Sequence, residues 1–148
     1  MDIPYQRAER ARQYVSISKH MKSARNNYSK WVCIPIERQT FDAADYGNHQ
    51  QLSGELPWVD SKGNKWGPEW MDAEGNLWGF LSGFADVGVD GEQFGFFPAP
   101  TNQTDPWHGY PIIPFQKRKI SQELLSLWVE KNYINEDDIP SIVLGRKV

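Results

Sequence analysis

The residues best placed to do chemistry lie in one short run, Asp105-Pro106-Trp107-His108-Gly109-Tyr110-Pro111. Prolines on both sides restrict the backbone, and glycine reaches torsions closed to other residues. His108 is therefore expected on a stiff turn between two aromatic rings. An imidazole titrates near neutrality, which makes His108 a candidate general acid or base. Asp105 would orient one ring nitrogen if the turn folds back, with Tyr110 or Trp107 contacting substrate. The competing expectation is a structural turn, in which His108 caps backbone groups and the two rings fill the core.

The other candidate chemistry is sparse. His20, His49 and His108 are scattered and share the chain with a single cysteine, Cys33. That pattern lacks metal-ligand spacing, so neither a metal nor a cofactor is expected. Cys33 sits in the apolar run Trp31-Val32-Cys33-Ile34-Pro35-Ile36, where a buried, inert thiol is the expectation. The glycines lack the strand–glycine–helix context of a phosphate loop, and the chain has no Gly-x-Ser-x-Gly elbow.

One motif occurs twice. Asp60-Ser61-Lys62-Gly63-Asn64-Lys65-Trp66 and Asp72-Ala73-Glu74-Gly75-Asn76-Leu77-Trp78 both read Asp-x-x-Gly-Asn-x-Trp, and Asp90-Gly91 is a degenerate third turn. Gly-Asn supplies positive backbone torsions, and aspartate bonds to the amides that follow it. The spacing predicts successive hairpin turns, with three or four antiparallel strands over residues 56–97. The acidic spacing and terminal glutamate of a calcium loop are missing.

Tryptophan and charge suggest a recognition surface. The chain has seven Trp, five of them between residues 58 and 107. Indoles in that number either build a core or anchor a partner. Charge is unevenly placed: residues 1–38 carry eight bases against three acids, whereas residues 39–116 carry two bases against eleven acids. Trp58, Trp66, Trp70 and Trp107, with Tyr110, are candidate anchors. Asp60, Asp72, Glu74, Asp86 and Asp90 would form the electrostatic rim around them. The basic start offers a second option, nucleic-acid binding through Arg7, Arg10, Arg12, Lys22 and Arg25. A pI near 5.6 weighs against it.

These groups need elements to hold them. A three- and four-residue stripe from Tyr5 to Ala24 predicts a helix over residues 5–28, which the β-branched patch Val15–Ser18 would interrupt. Residues 31–36 read as an edge strand ending at Pro35, and residues 42–56 as a polar loop. Five prolines make residues 98–116 a packed but irregular loop. Ser121 caps the clearest helix, whose core face is Ile120, Leu124, Leu127, Trp128 and Tyr133 or Ile134. Pro140 is expected to limit a short turn after Asn135, and residues 141–144 to form a short strand.

The fold class that follows is α+β. A small antiparallel meander packs on a C-terminal helix, with an N-terminal helix alongside. One domain over residues 1–148 is expected. It divides into a basic helical segment (1–30), a β region (31–97), a Pro/aromatic loop (98–119) and a C-terminal helix with a short tail (120–148). A lone cysteine, the lack of an apolar signal core after Met1 and the lack of any long apolar run point to a cytoplasmic protein without a membrane span. The leading functional expectation is a protein-binding module of the inhibitor or immunity type that neutralises a basic partner protein. The alternatives are a small hydrolase or nuclease-like enzyme using His108, and nucleic-acid binding by the basic start. A glycan-binding face of stacked Trp fits the repeated motif but not the lack of a secretion signal.

Overall fold

The structure, a computed structural model, describes residues 3–4, 13–46, 58–59, 69–102 and 105–148. It is α+β, as the sequence predicts. The centre is a three-stranded antiparallel sheet in the order β3 (Leu77–Gly79), β4 (Phe94–Phe97), β5 (Tyr110–Ile112). Helix α1 (Ile34–Tyr46) lies on one face. The aromatic end of helix α2 (Gln122–Glu130) meets the other, where Trp128 stacks on Phe94. A short helix, α3 (Ile139–Val143), follows near the chain end, and β1 (Ile3–Pro4) pairs with β2 (Trp58–Val59) apart from the main sheet.

Strand β4 is buried on both faces, which explains its composition, Phe-Gly-Phe-Phe. Alternate side chains of a strand point to opposite sides. Phe94 and Phe96 go one way, into a cluster with Trp78, Phe80 and Trp128. Phe97 goes the other way, against Tyr14, Trp31 and Phe41. Gly95 sits directly across from Gly79 in the β3–β4 register. A Cβ on Gly79 would lie 2.6 Å from the Thr40 carbonyl oxygen, and one on Gly95 would lie 2.7 Å from Thr40 Cγ2. The missing side chains are what let α1 rest on the sheet.

Several elements differ from expectation. Residues 13–30 are not helical: residues 13–17 are extended, and the only helical turn is a single 3-10 turn, Ser18–His20. The interruption at Val15–Ser18 prevails because Tyr14 bridges Trp107, with the Val15 amide donating to the Trp107 carbonyl at 2.8 Å. The rest of that expected helix, residues 5–12, lies outside the described residues. Residues 34–36 begin α1 rather than ending a strand. Pro35 stands in the first turn, where a proline forfeits no intrahelical bond. Helix α1 then covers residues 42–46 of the expected polar loop.

The Pro/aromatic loop contributes an actual strand. Pro111 pairs with Gly95 in β5, which is allowed because β5 is an edge strand. The expected meander is therefore β3–β4 plus a third strand from beyond residue 97. Helix α2 stands as expected, with Ser121 Oγ accepting the Leu124 amide at 3.2 Å, though its buried face also includes Leu125. Pro140 opens α3 instead of limiting it, so residues 141–143 are helix rather than strand. Among the described residues, no helix is long and apolar enough to cross a membrane.

Candidate functional site

The run around His108 is woven into the core. The Trp107 amide donates to the Gln13 carbonyl at 2.6 Å, and Trp107 is half-buried. Gly109 does not serve through an unusual torsion. Its place is set by close approach, since a Cβ there would lie 2.2 Å from Phe97 Cδ1 and 2.4 Å from the Phe96 carbonyl oxygen. The Gly109 carbonyl accepts from Trp31 Nε1 at 3.3 Å. Tyr110 is half-buried between Phe96 and His20, the latter stacked at 5.1 Å between ring centroids.

The expected Asp105–His108 pair is not assembled. Asp105 is exposed and accepts from Asn102 Nδ2 at 3.2 Å. His108 is half-buried, and its enclosed Nδ1 has no hydrogen-bond partner among the described residues. The titratable neighbour the fold supplies is His20, which no sequence pattern singled out. His20 is 4% exposed, with Nδ1 2.8 Å from the Ser29 carbonyl oxygen. Burial holds it below the ordinary imidazole value; Lys19, Lys30 and His108 act the same way, and the Ser29 carbonyl opposes them. Two imidazoles without a carboxylate make a poor acid–base pair.

A second group missed in the sequence is Glu37. It is 1% exposed in the first turn of α1. Tyr14 Oη donates to Glu37 Oε2, and Ser16 Oγ donates to Oε1 at 2.9 Å. Burial, and then the Glu37 carboxylate, push the Tyr14 hydroxyl well above the ordinary tyrosine value. Tyr14 and Ser16 are alternate residues of an extended segment, so both hydroxyls face one way. That spacing was the available signal. The carboxylate is satisfied and sealed, a tie between the extended segment and α1.

The expected Trp-and-acid surface is not assembled either. Trp70 is 4% exposed, packed on Phe80, Trp128 and Tyr133, and is a core residue rather than an anchor. Asp72 is spent on its own turn. Its Oδ1 accepts the Glu74 and Asn76 amides, and its Oδ2 accepts Trp78 Nε1 at 3.1 Å. The Asp-x-x-Gly-Asn-x-Trp motif is thus a structural turn, with Gly75 at φ 85°. Asp86 is bonded to Lys147. Glu74 and Asp90 are exposed, but the antiparallel register sets them at opposite ends of the sheet. Asp60, Trp66, Arg7, Arg10, Arg12 and His49 lie outside the described residues, as does the side chain of Trp58. Lys22 is exposed on a turn and Arg25 is exposed in an irregular stretch, neither on a helix.

Cys33 is exposed rather than buried, because it precedes α1 and its carbonyl accepts the Glu37 amide at 3.1 Å. Among the described residues, no group of three or more His, Cys, Asp or Glu could hold a metal ion.

Among the described residues, a cleft open to a ligand lies at the end of the sheet where β4 begins. Its volume is about 140 Å³, and it is walled by Ile113, Pro114, Gly145 and Arg146 over Phe94 and Gln93. Gly145 packs directly under Phe115 and Ile113. Ile113, Phe115 and Leu144 are 47%, 44% and 50% exposed. The chain end straps one side, with the Val148 amide donating to Gln93 Oε1 at 2.9 Å and Lys147 Nζ donating to the Gly91 carbonyl at 3.1 Å. Comparison with protein-family models, with curated proteins and with solved structures returns no match to this chain.

Proposed function

We propose that the protein is a binding module for another protein, and that contact is made through the cleft end of the sheet rather than through a tryptophan-lined acidic face. The observation that supports this is a cleft with a buried aromatic floor, lined by half-exposed Ile113 and flanked at Gly145 by half-exposed Phe115, packed against that glycine, and Leu144, next to it in the chain. Large apolar side chains gathered at one place on a surface mark interaction sites, whereas single ones do not. A module of the inhibitor or immunity type fits such a surface, because stoichiometric capture needs shape and anchors but no catalytic set.

Affinity capture from the native host tests the reading. Wild-type protein should retain a specific partner, and Phe115→Ser with Leu144→Ser should weaken retention roughly tenfold or more, as loss of interface anchors does. Unfolding curves would show that the variant remains folded. Glu74→Lys, at the far end of the sheet from the cleft, should leave capture intact. Loss of the partner through Glu74→Lys, with the apolar variant unaffected, would overturn the cleft reading in favour of the acidic rim.

A further inference from the structure

We infer that the segment this cleft receives is acidic and carries one large apolar side chain, a phenylalanine or leucine, seated on Phe94. The inference rests on the binding-module reading and adds the chemistry of the partner. The volume sets the anchor: an apolar cavity of about 150 Å³ accommodates a benzene ring, and this cleft offers about 140 Å³. Its floor, Phe94, is 2% exposed and locked by the stacked Trp128, so the seat is preformed.

The rim sets the charge. Phe115 and Arg118 bridge across a tight turn with Gln116 at φ 59°, which pushes Lys117 out at the tip. Lys117, Arg118 and Lys119 are three consecutive exposed bases on the turn after Phe115, and exposed Arg146 lines the cleft. The guanidinium of Arg118 lies 5.0 Å over the Phe96 ring, which holds that side chain in place without neutralising it. Lys117, Lys119 and Arg146 make no ion pair among the described residues. Lys147 differs from them in being paired with Asp86. Of the charged residues, Asp90, Arg146 and Lys147 line the cleft itself, and Lys117, Arg118 and Lys119 stand beyond its lining on the turn that follows Phe115. The chain carries a net charge of −3, so this end opposes the sign of the whole. A local patch of one sign selects its complement and repels its like.

Fluorescence anisotropy on the full chain provides the test. The probe is a labelled short peptide of glutamates around a central phenylalanine. One twin replaces the glutamates with lysine, and another replaces the phenylalanine with alanine. The acidic phenylalanine peptide should bind, and each twin should bind roughly tenfold more weakly or worse. Added salt should weaken the binding. Lys117→Glu with Arg146→Glu should abolish it while leaving the unfolding curve in place. Equal binding of the lysine twin, or no binding of the acidic peptide, overturns the inference. So does equally tight binding of a polyuridine RNA, which would make the patch a polyanion surface. So does concentration-dependent dimerisation abolished by the same two substitutions, which would make the occupant a second copy of this chain. Host-partner capture that depends on Phe115 and Leu144 but not on Lys117 and Arg146 would sink the acidic inference and leave the binding module standing.

Discussion

Gly79→Ala is the sharpest test of how this molecule is assembled. The added methyl would stand 2.6 Å from the Thr40 carbonyl oxygen and 3.0 Å from Ala44 Cβ. An ordinary C···O approach is about 3.3–3.6 Å, so α1 must retreat by about 0.7–1 Å at Thr40. The carbonyl is backbone within a helix and cannot swing aside as a side-chain tip would. Overpacking of a tight core costs about 1–3 kcal/mol. Replacing a strand glycine by alanine returns about 0.5–1 kcal/mol of chain entropy. The net expectation is a loss of roughly 0–2.5 kcal/mol, centred on about 1.3 kcal/mol. With a urea slope of about 2 kcal/mol/M, the midpoint falls by up to about 1.3 M and by about 0.6 M at the centre of that range. Gly95→Ala supplies a second arm, because its methyl would meet Thr40 Cγ2 at 2.7 Å. Thr40→Ser removes that carbon and keeps the Oγ1 bond to the Ile36 carbonyl, so it should recover part of the Gly95→Ala loss. A raised midpoint for Gly79→Ala, or unchanged midpoints for both Gly79→Ala and Gly95→Ala, would refute the seating of α1 on the paired glycines.

Two further outcomes follow from the packing around the motifs. Asp72→Ala leaves Trp78 Nε1 without its acceptor and the Glu74 and Asn76 amides uncapped, and should cost about 1–3 kcal/mol in urea unfolding. A loss within experimental error would mean that the carboxylate faces solvent and the rim reading deserves revival. His20 sets an acid limit. Its folded value is held below the unfolded 6.5, so the unfolded chain takes up the proton first. Its contribution to stability is complete above about pH 6.5 and declines as pH falls below that. Urea midpoints between pH 7.5 and about 5 should therefore fall in the wild type and fall less in His20→Gln. Parallel declines would remove His20 as the cause.

The sequence by itself settled what short-range chemistry settles. The α2 cap at Ser121 and the Asp72–Trp78 turn with Gly75 at positive φ follow from local preference, and together they carry the α+β class. Helix α1 was hidden because its buried stripe includes Glu37 and Thr40, polar residues whose partners are Tyr14, Ser16 and the helix's own Ile36 carbonyl. Periodicity reads apolar type, not whether a carboxylate will find two hydroxyls. The extended course of residues 13–17 depends on Trp107, far along the chain, and overrides the helical stripe. The expected surface of indoles and acids was the least legible part. Trp70 is an anchor by composition and a core residue by packing, and Glu74 and Asp90 are rim partners by charge but stand at opposite ends by register. Residue type fixes what a side chain is able to do. Which side chains share an edge of the molecule is decided by strand register and by what packs above and below, both of which are set by distant parts of the chain.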